Sequence, residues 1–201
     1  MCSMPSSFIS KLTSNTNFRI MIKLIQKWAT GRNVLILLAA DLLFMLGIMP
    51  YMGKKMEELA PGIPPLDITI PSYSAEYAQD TINKMSDPAR AFYKSIELGA
   101  DLIYPLIYGF AFALLIAFLW KKLGWGQGLL KWVILFPLLG MIFDYGENLS
   151  IVSLINQHPN PAVGTAQMAA YFSLAKWSFA FSALAAIVIG LLAWGWKARS
   201  S

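Results

Sequence analysis

Residues 101–120 read DLIYPLIYGFAFALLIAFLW. A helix of that length rises about 30 Å, the thickness of a bilayer's hydrocarbon layer, and the run is apolar enough to sit there. Its one acidic residue, Asp101, stands at the N-terminal end. A carboxylate in hydrocarbon costs about 2.5–3.5 kcal/mol at mid-bilayer, so it must turn toward protein interior or a wet cavity. The stretch therefore indicates both the class of molecule and where to look within it.

Working outward, three further blocks share this character, and the spans are read as 34–53, 98–120, 132–155 and 171–196. The chain has 201 residues, 57% of them hydrophobic, gathered in blocks rather than spread at regular spacing. Such blocks select a membrane bundle over a soluble domain with a large core. The expected fold class is all-α, a four-helix transmembrane bundle. Four of the eleven carboxylates, Asp41, Asp101, Asp144 and Glu147, fall inside the spans. The first span starts late and is followed by Tyr51-Met52-Gly53-Lys54-Lys55 rather than a small-x-small site, so it reads as retained, not as a cleaved signal.

Basic residues set the expected orientation. Lys11, Arg19, Lys23, Lys27 and Arg32 precede the first span, Lys121, Lys122 and Lys131 lie between the second and third, and Lys197 and Arg199 follow the fourth. The positive-inside rule then places both termini in the cytoplasm. The chain divides into a cytoplasmic tail with a basic interfacial helix (1–33), an extracytoplasmic cap (54–97), a cytoplasmic turn (121–131), an extracytoplasmic loop (156–170) and a short cytoplasmic tail (197–201). The cap carries five basic residues against seven acidic ones, and 156–170 has no Lys or Arg. The expected location is the cell membrane, the inner one in a bacterium, crossed several times.

The net charge of +5 sits on membrane edges, which points to anionic lipid headgroups and not to nucleic acid. A single cysteine, Cys2, excludes an intramolecular disulfide, a Cys-x-x-Cys pair and a thiolate zinc site. A single histidine, His158, argues against bis-His haem. No cofactor and no metal are assigned.

Residues 1–16 read as an unstructured tail, with Met21 an alternative start. Phe18, Met21, Ile22, Ile25 and Trp28 then recur at helical spacing opposite basic residues, the pattern of a helix lying in the interface. In the cap, Pro61, Pro64, Pro65 and Pro71 enforce an extended path, and residues 66–70 alternate like a short strand. Ser74 begins a helix to about Met85, and Ser86-Asp87-Pro88 begins another. Its stripe of Ala89, Phe92, Tyr93 and Ile96 meets no proline before the second span, implying one helix from Pro88 to Trp120, about 50 Å long. Residues 123–128 form a tight glycine turn without the Gly-Lys-Ser/Thr of a phosphate loop. There is no internal repeat.

Within the spans the polar residues share faces. Asp101, Tyr104, Pro105 and Tyr108 lie at i, i+3, i+4 and i+7, and Pro137, Gly140, Met141, Asp144, Glu147, Asn148 and Ile151 continue one stripe. On the fourth span Ser173, Lys176, Ala180, Ala183, Ile187 and Gly190 form a mostly small stripe that favours close helix approach. At 1.5 Å per residue, Asp101, Glu147 and Lys176 all fall about 22–24 Å above the cytoplasmic boundary, and Asp144 about 18 Å. Lys176 should therefore pair with Glu147 or Asp101. Asp41, about 11 Å up, belongs to a separate contact on this estimate. Asp101, Asp144, Glu147 and Asn148 offer oxygen ligands to a hard cation, without a spacing signature. His158 reads as a turn residue, with a secondary role at the outer mouth as the alternative.

These motifs carry a resemblance. D-x-x-Y-P-x-x-Y at 101–108, F-D-x-x-E-N at 143–148 and Lys176 resemble a family of uncharacterised bacterial four-helix membrane proteins, over residues 34–196. No activity attaches to that family, so the resemblance implies the architecture and the choice of site residues, and no chemistry. Lipoprotein signal peptidases also have four spans and two aspartates, but their N-x-x-D-R and F-N-x-A-D motifs are absent here.

Three functions fit the residues. The first is a carboxylate-rich site for ligand binding or transport in the outer half of the bilayer, built from Asp101, Tyr104, Tyr108, Asp144, Glu147, Asn148 and Lys176. The second is a membrane-embedded acid–base enzyme acting on a lipid-like substrate. The third is a scaffold whose polar network only holds the helices. Expected partners are membrane lipids and, for symmetry or contact, a second copy or another membrane protein.

Overall fold

The computed structural model describes the backbone of residues 6–200 and the side chains of residues 17–200. Cys2 lies outside them. Among the described residues there are eight α-helices and no strand: α1 Ser6–Trp28, α2 Gly31–Leu43, α3 Met49–Leu59, α4 Ala75–Lys84, α5 Asp87–Glu97, α6 Ala100–Leu123, α7 Phe136–Asn156 and α8 Val163–Arg199. Four stretches are long and apolar enough to cross a membrane: Gly31–Leu59, Asp87–Leu123, Leu130–Asn156 and Val163–Arg199. The chain is a multi-pass membrane protein built as an all-α four-helix bundle.

Burial is inverted relative to a soluble bundle. Leu35, Leu43, Leu46 and Leu192 are 68–76% exposed, whereas Asp101, Asp144, Glu147 and Lys176 are buried. That is the distribution expected where the outer solvent is lipid and the polar groups must find partners inside.

The first span is one continuous helix with a π turn, Phe44–Ile48, joining α2 to α3. Pro50 explains it: the ring has no N–H for the usual acceptor and crowds the turn before it, so the ladder slips and Met49 N–H donates to Phe44 O. α7 and α8 pack against each other most extensively, and α6 lies against α2, α7 and α8. The small stripe on α8 has a physical role at Gly190, where an added Cβ would come within 3.0 Å of Leu119 and Trp120 on α6.

The core is in two parts. One cluster joins Ala113, Ile116, Ala117 and Trp120 of α6 to Ile134, Leu138, Ala183 and Ile187. The other joins Met56, Leu66, Ile82 and Tyr93 around the cap to Ile151, Leu154, Ala166 and Ala169 at the near ends of α7 and α8. The polar residues of α6, α7 and α8 fall between them in register.

Several expectations are corrected. The segment expected to be unstructured is helical from Ser6. The face of α1 that carries Ile22 and Ile25 is buried against α6, with Ala29 just beyond its end, and Gln26 donates to Gly126 O at 3.2 Å, so the helix docks on the bundle as well as flanking it. Trp28, expected on the same stripe, is exposed. The strand expected at 66–70 is a single 3-10 turn, Leu66–Ile68. With no partner strand, its N–H groups go elsewhere: Leu66 N–H to the Tyr93 hydroxyl at 2.9 Å and Thr69 N–H to Leu66 O at 2.9 Å. The single helix from Pro88 to Trp120 is broken at Leu98–Gly99, between α5 and α6. Gly99 permits the break, since a Cβ there would sit 2.7 Å from Ser95 O. Both expected caps of the outer helices are present, Ser74 accepting from Tyr77 N–H and Ser86 from Ala89 N–H.

Candidate functional site

The site grows from α6 and α7. Pro105 has no N–H, so the carbonyl of Asp101, four residues earlier, loses its helical donor. Asn148 on α7 supplies one: its Nδ2 donates to Asp101 O at 2.9 Å in a buried environment. Tyr145 donates to the adjacent Leu102 O at 2.7 Å. The proline in one motif and the asparagine in the other are therefore halves of one helix–helix contact.

Lys176 of α8 organises the neighbouring acids. Its ammonium lies 2.5 Å from Glu147 Oε2 and 3.4 Å from Asp144 Oδ1, donates to the backbone carbonyl of Asp67 at 2.9 Å, and stands 5.3 Å from the Trp177 ring. Tyr108 donates to Asp144 Oδ2 at 2.9 Å. Tyr73, from the cap, donates to Glu147 Oε1 at 3.0 Å. Burial, reinforced by the Glu147 charge, pushes the Tyr73 phenol far above its ordinary range, so it stays a donor. Of the two expected partners of Lys176, Glu147 is its nearest; Asp101 makes no ion pair with it, and Asp144 is the second acid. The hard-cation set expected from Asp101, Asp144, Glu147 and Asn148 does not assemble, because Lys176 holds two members and Asn148 faces the Asp101 backbone.

Three further expectations can be placed. Tyr104 stacks on Phe44 at 5.5 Å between ring centres and lies 5.3 Å from Tyr108. Asp41 is buried beside the Tyr104 hydroxyl, so the separate contact expected for it is instead an extension of the same polar layer toward the π turn. His158, half-buried in the turn after α7, takes part in none of these contacts.

Two acids that the sequence reading left in the cap belong here. Carboxylate oxygens of Asp67, Glu97 and Asp101 all lie within 4.8 Å of one another. Asp67 accepts from the Tyr93 hydroxyl at 2.6 Å. Glu97 is fully buried, and neither of its oxygens has a hydrogen-bond partner. Glu97 could have been found: it continues the Tyr93 face at i+4, and a like-charged Glu97–Asp101 pair at i, i+4 is a repulsion that an ordinary helix surface avoids. Asp67 had no such signal.

Beside the trio is a cavity of about 270 Å³, bounded by Met49, Met52 and Met56 on α3, Pro64 and Pro65 in the loop, and Asp67 and Asp101. Its lining is mostly apolar, with Glu57, Asp67 and Asp101 as its acids. No protein-family model matches this chain, and no curated protein or solved structure does either.

Proposed function

We propose that the chain is a protein of the cell membrane, with both termini in the cytoplasm, that binds or transports a cation in a carboxylate-rich site beneath its extracytoplasmic cap. The observation that carries this reading is an imbalance. Asp67, Glu97, Asp101, Asp144 and Glu147 adjoin one another, and Lys176 is the only basic side chain, among the described residues, that ion-pairs with any of them. Packing needs no such excess, and low dielectric penalises it.

The cavity supports the same reading by offering an approach to Asp67 and Asp101. The motifs that suggest kinship with the bacterial four-helix family supply Asp101, Asp144, Glu147 and Asn148. The acid–base reading gains nothing at Asp144 and Glu147, because Lys176 and two tyrosines already engage both.

The test is thermal unfolding of detergent-solubilised, chelator-treated protein against a panel of calcium, magnesium, potassium and methylammonium chlorides. At least one cation should raise the melting temperature of the native chain, and Asp101→Asn should lose that response. A flat response to the whole panel would remove the reading.

A further inference from the structure

We propose that Asp67, Glu97 and Asp101 hold a divalent metal ion of the calcium, magnesium or manganese class, which clamps the cap to the head of α6. This rests on the cation-binding reading above and names its cation. The three ligands come from the loop after α3, the last residue of α5 and the first turn of α6, so one ion would tie three elements together.

The geometry suits the ion. Three oxygens that all lie within 4.8 Å of one another leave a point no more than about 2.8 Å from each, close to the 2.3–2.6 Å of calcium–oxygen bonds. Every donor is a carboxylate oxygen, a set that selects hard cations over zinc or copper.

Glu97 is the independent observation. It is 0% exposed with two unpartnered oxygens, aimed at the other two acids. A buried carboxylate without partners is a strongly unfavourable arrangement that native proteins avoid. The nearby bases are taken up elsewhere: Arg90 donates to Ile82 O and Met85 O and pairs with Asp87, Lys94 reaches Asn156 at 2.6 Å, and Lys176 holds Asp144 and Glu147. A primary ammonium would bring one charge to three carboxylates; a divalent ion brings two. The adjoining cavity leaves room for the water ligands that such ions keep.

The experiment uses the full chain in detergent after chelator treatment, with calcium or manganese chloride against methylammonium chloride. Calcium or manganese at a hundredfold excess over its Kd should raise the melting temperature by about 5–10 °C, and methylammonium should not. Glu97→Gln and Asp67→Asn should each abolish the rise. Terbium should give luminescence sensitised through Tyr93, whose hydroxyl touches Asp67, and calcium should quench it by competition. If methylammonium stabilises and the divalent ions do not, the metal assignment falls while the cation-binding reading stands. If neither these nor magnesium and potassium bind, both fall. A divalent response that persists in whichever of the two variants folds also overturns the assignment.

Discussion

Two groups of buried carboxylates adjoin in this bundle and differ in one respect. Around Lys176, Asp144 and Glu147 are answered by an ammonium and by the hydroxyls of Tyr108 and Tyr73. Around Glu97, three acids face one another, and only Asp67 receives a hydroxyl. The first group is complete without a ligand and reads as part of the folding interaction between α7, α8 and the cap. The second is incomplete, and its chemistry has to be finished from outside the chain. An acid's depth in the membrane does not separate the two cases; the inventory of partners does.

The harshest way to break that contrast is to strip the answered group. Lys176→Met leaves Asp144 and Glu147 buried without their cation and releases the Asp67 carbonyl, so unfolding in detergent should show a loss of about 3–5 kcal/mol. Adding Glu147→Gln and Asp144→Asn should recover a substantial part of it. Purely additive losses would mean that the ammonium does not hold these acids.

How much of this was legible beforehand follows from distance along the chain. The four spans, the caps at Ser74 and Ser86 and the Glu147–Lys176 pair could be read, because each depends on local pattern or on equal depth along neighbouring helices. The break at Gly99 was missed because a helical stripe continues across it, and only tertiary packing shows why the chain turns there. Asp67 could not be read at all: it is fixed by Tyr93, 26 positions on, and through its carbonyl by Lys176, 109 positions on. A strand pattern in a proline-bounded loop carries no trace of either contact. Asp41 was set apart because depth was counted from span ends, whereas the length of the Tyr104 side chain bridges the gap.

A smaller effect sharpens the account of the motif residues. Asn148→Ala removes the donor from a buried carbonyl and should cost about 1–3 kcal/mol. Pro105→Ala would restore a backbone N–H to the same carbonyl. In the Pro105→Ala background the cost of Asn148→Ala should therefore shrink, a coupling measurable by a double-mutant cycle. Equal costs in both backgrounds would show that Asn148 acts through some other contact.

The smallest expected effect is the most discriminating, because one substitution can be made at two sites of equal burial. Glu97 and Glu147 are both 0% exposed, and Gln preserves the size of each. Glu147→Gln removes the charge that Lys176 approaches most closely, leaving the ammonium with Asp144 at 3.4 Å, and should cost about 2 kcal/mol. Glu97→Gln, measured after chelator treatment, removes a carboxyl that nothing answers and any repulsion between it and Asp67 and Asp101. Replacing one carboxylate oxygen by an amide nitrogen forfeits no bond where neither oxygen accepts one, and the new amide donors face carboxylates that can receive them. Stability should then stay within about 1 kcal/mol of the native chain, with a gain as admissible as a loss. Equal costs at the two glutamates would erase the distinction between an answered and an unanswered acid, and with it the reason for expecting a ligand at Glu97.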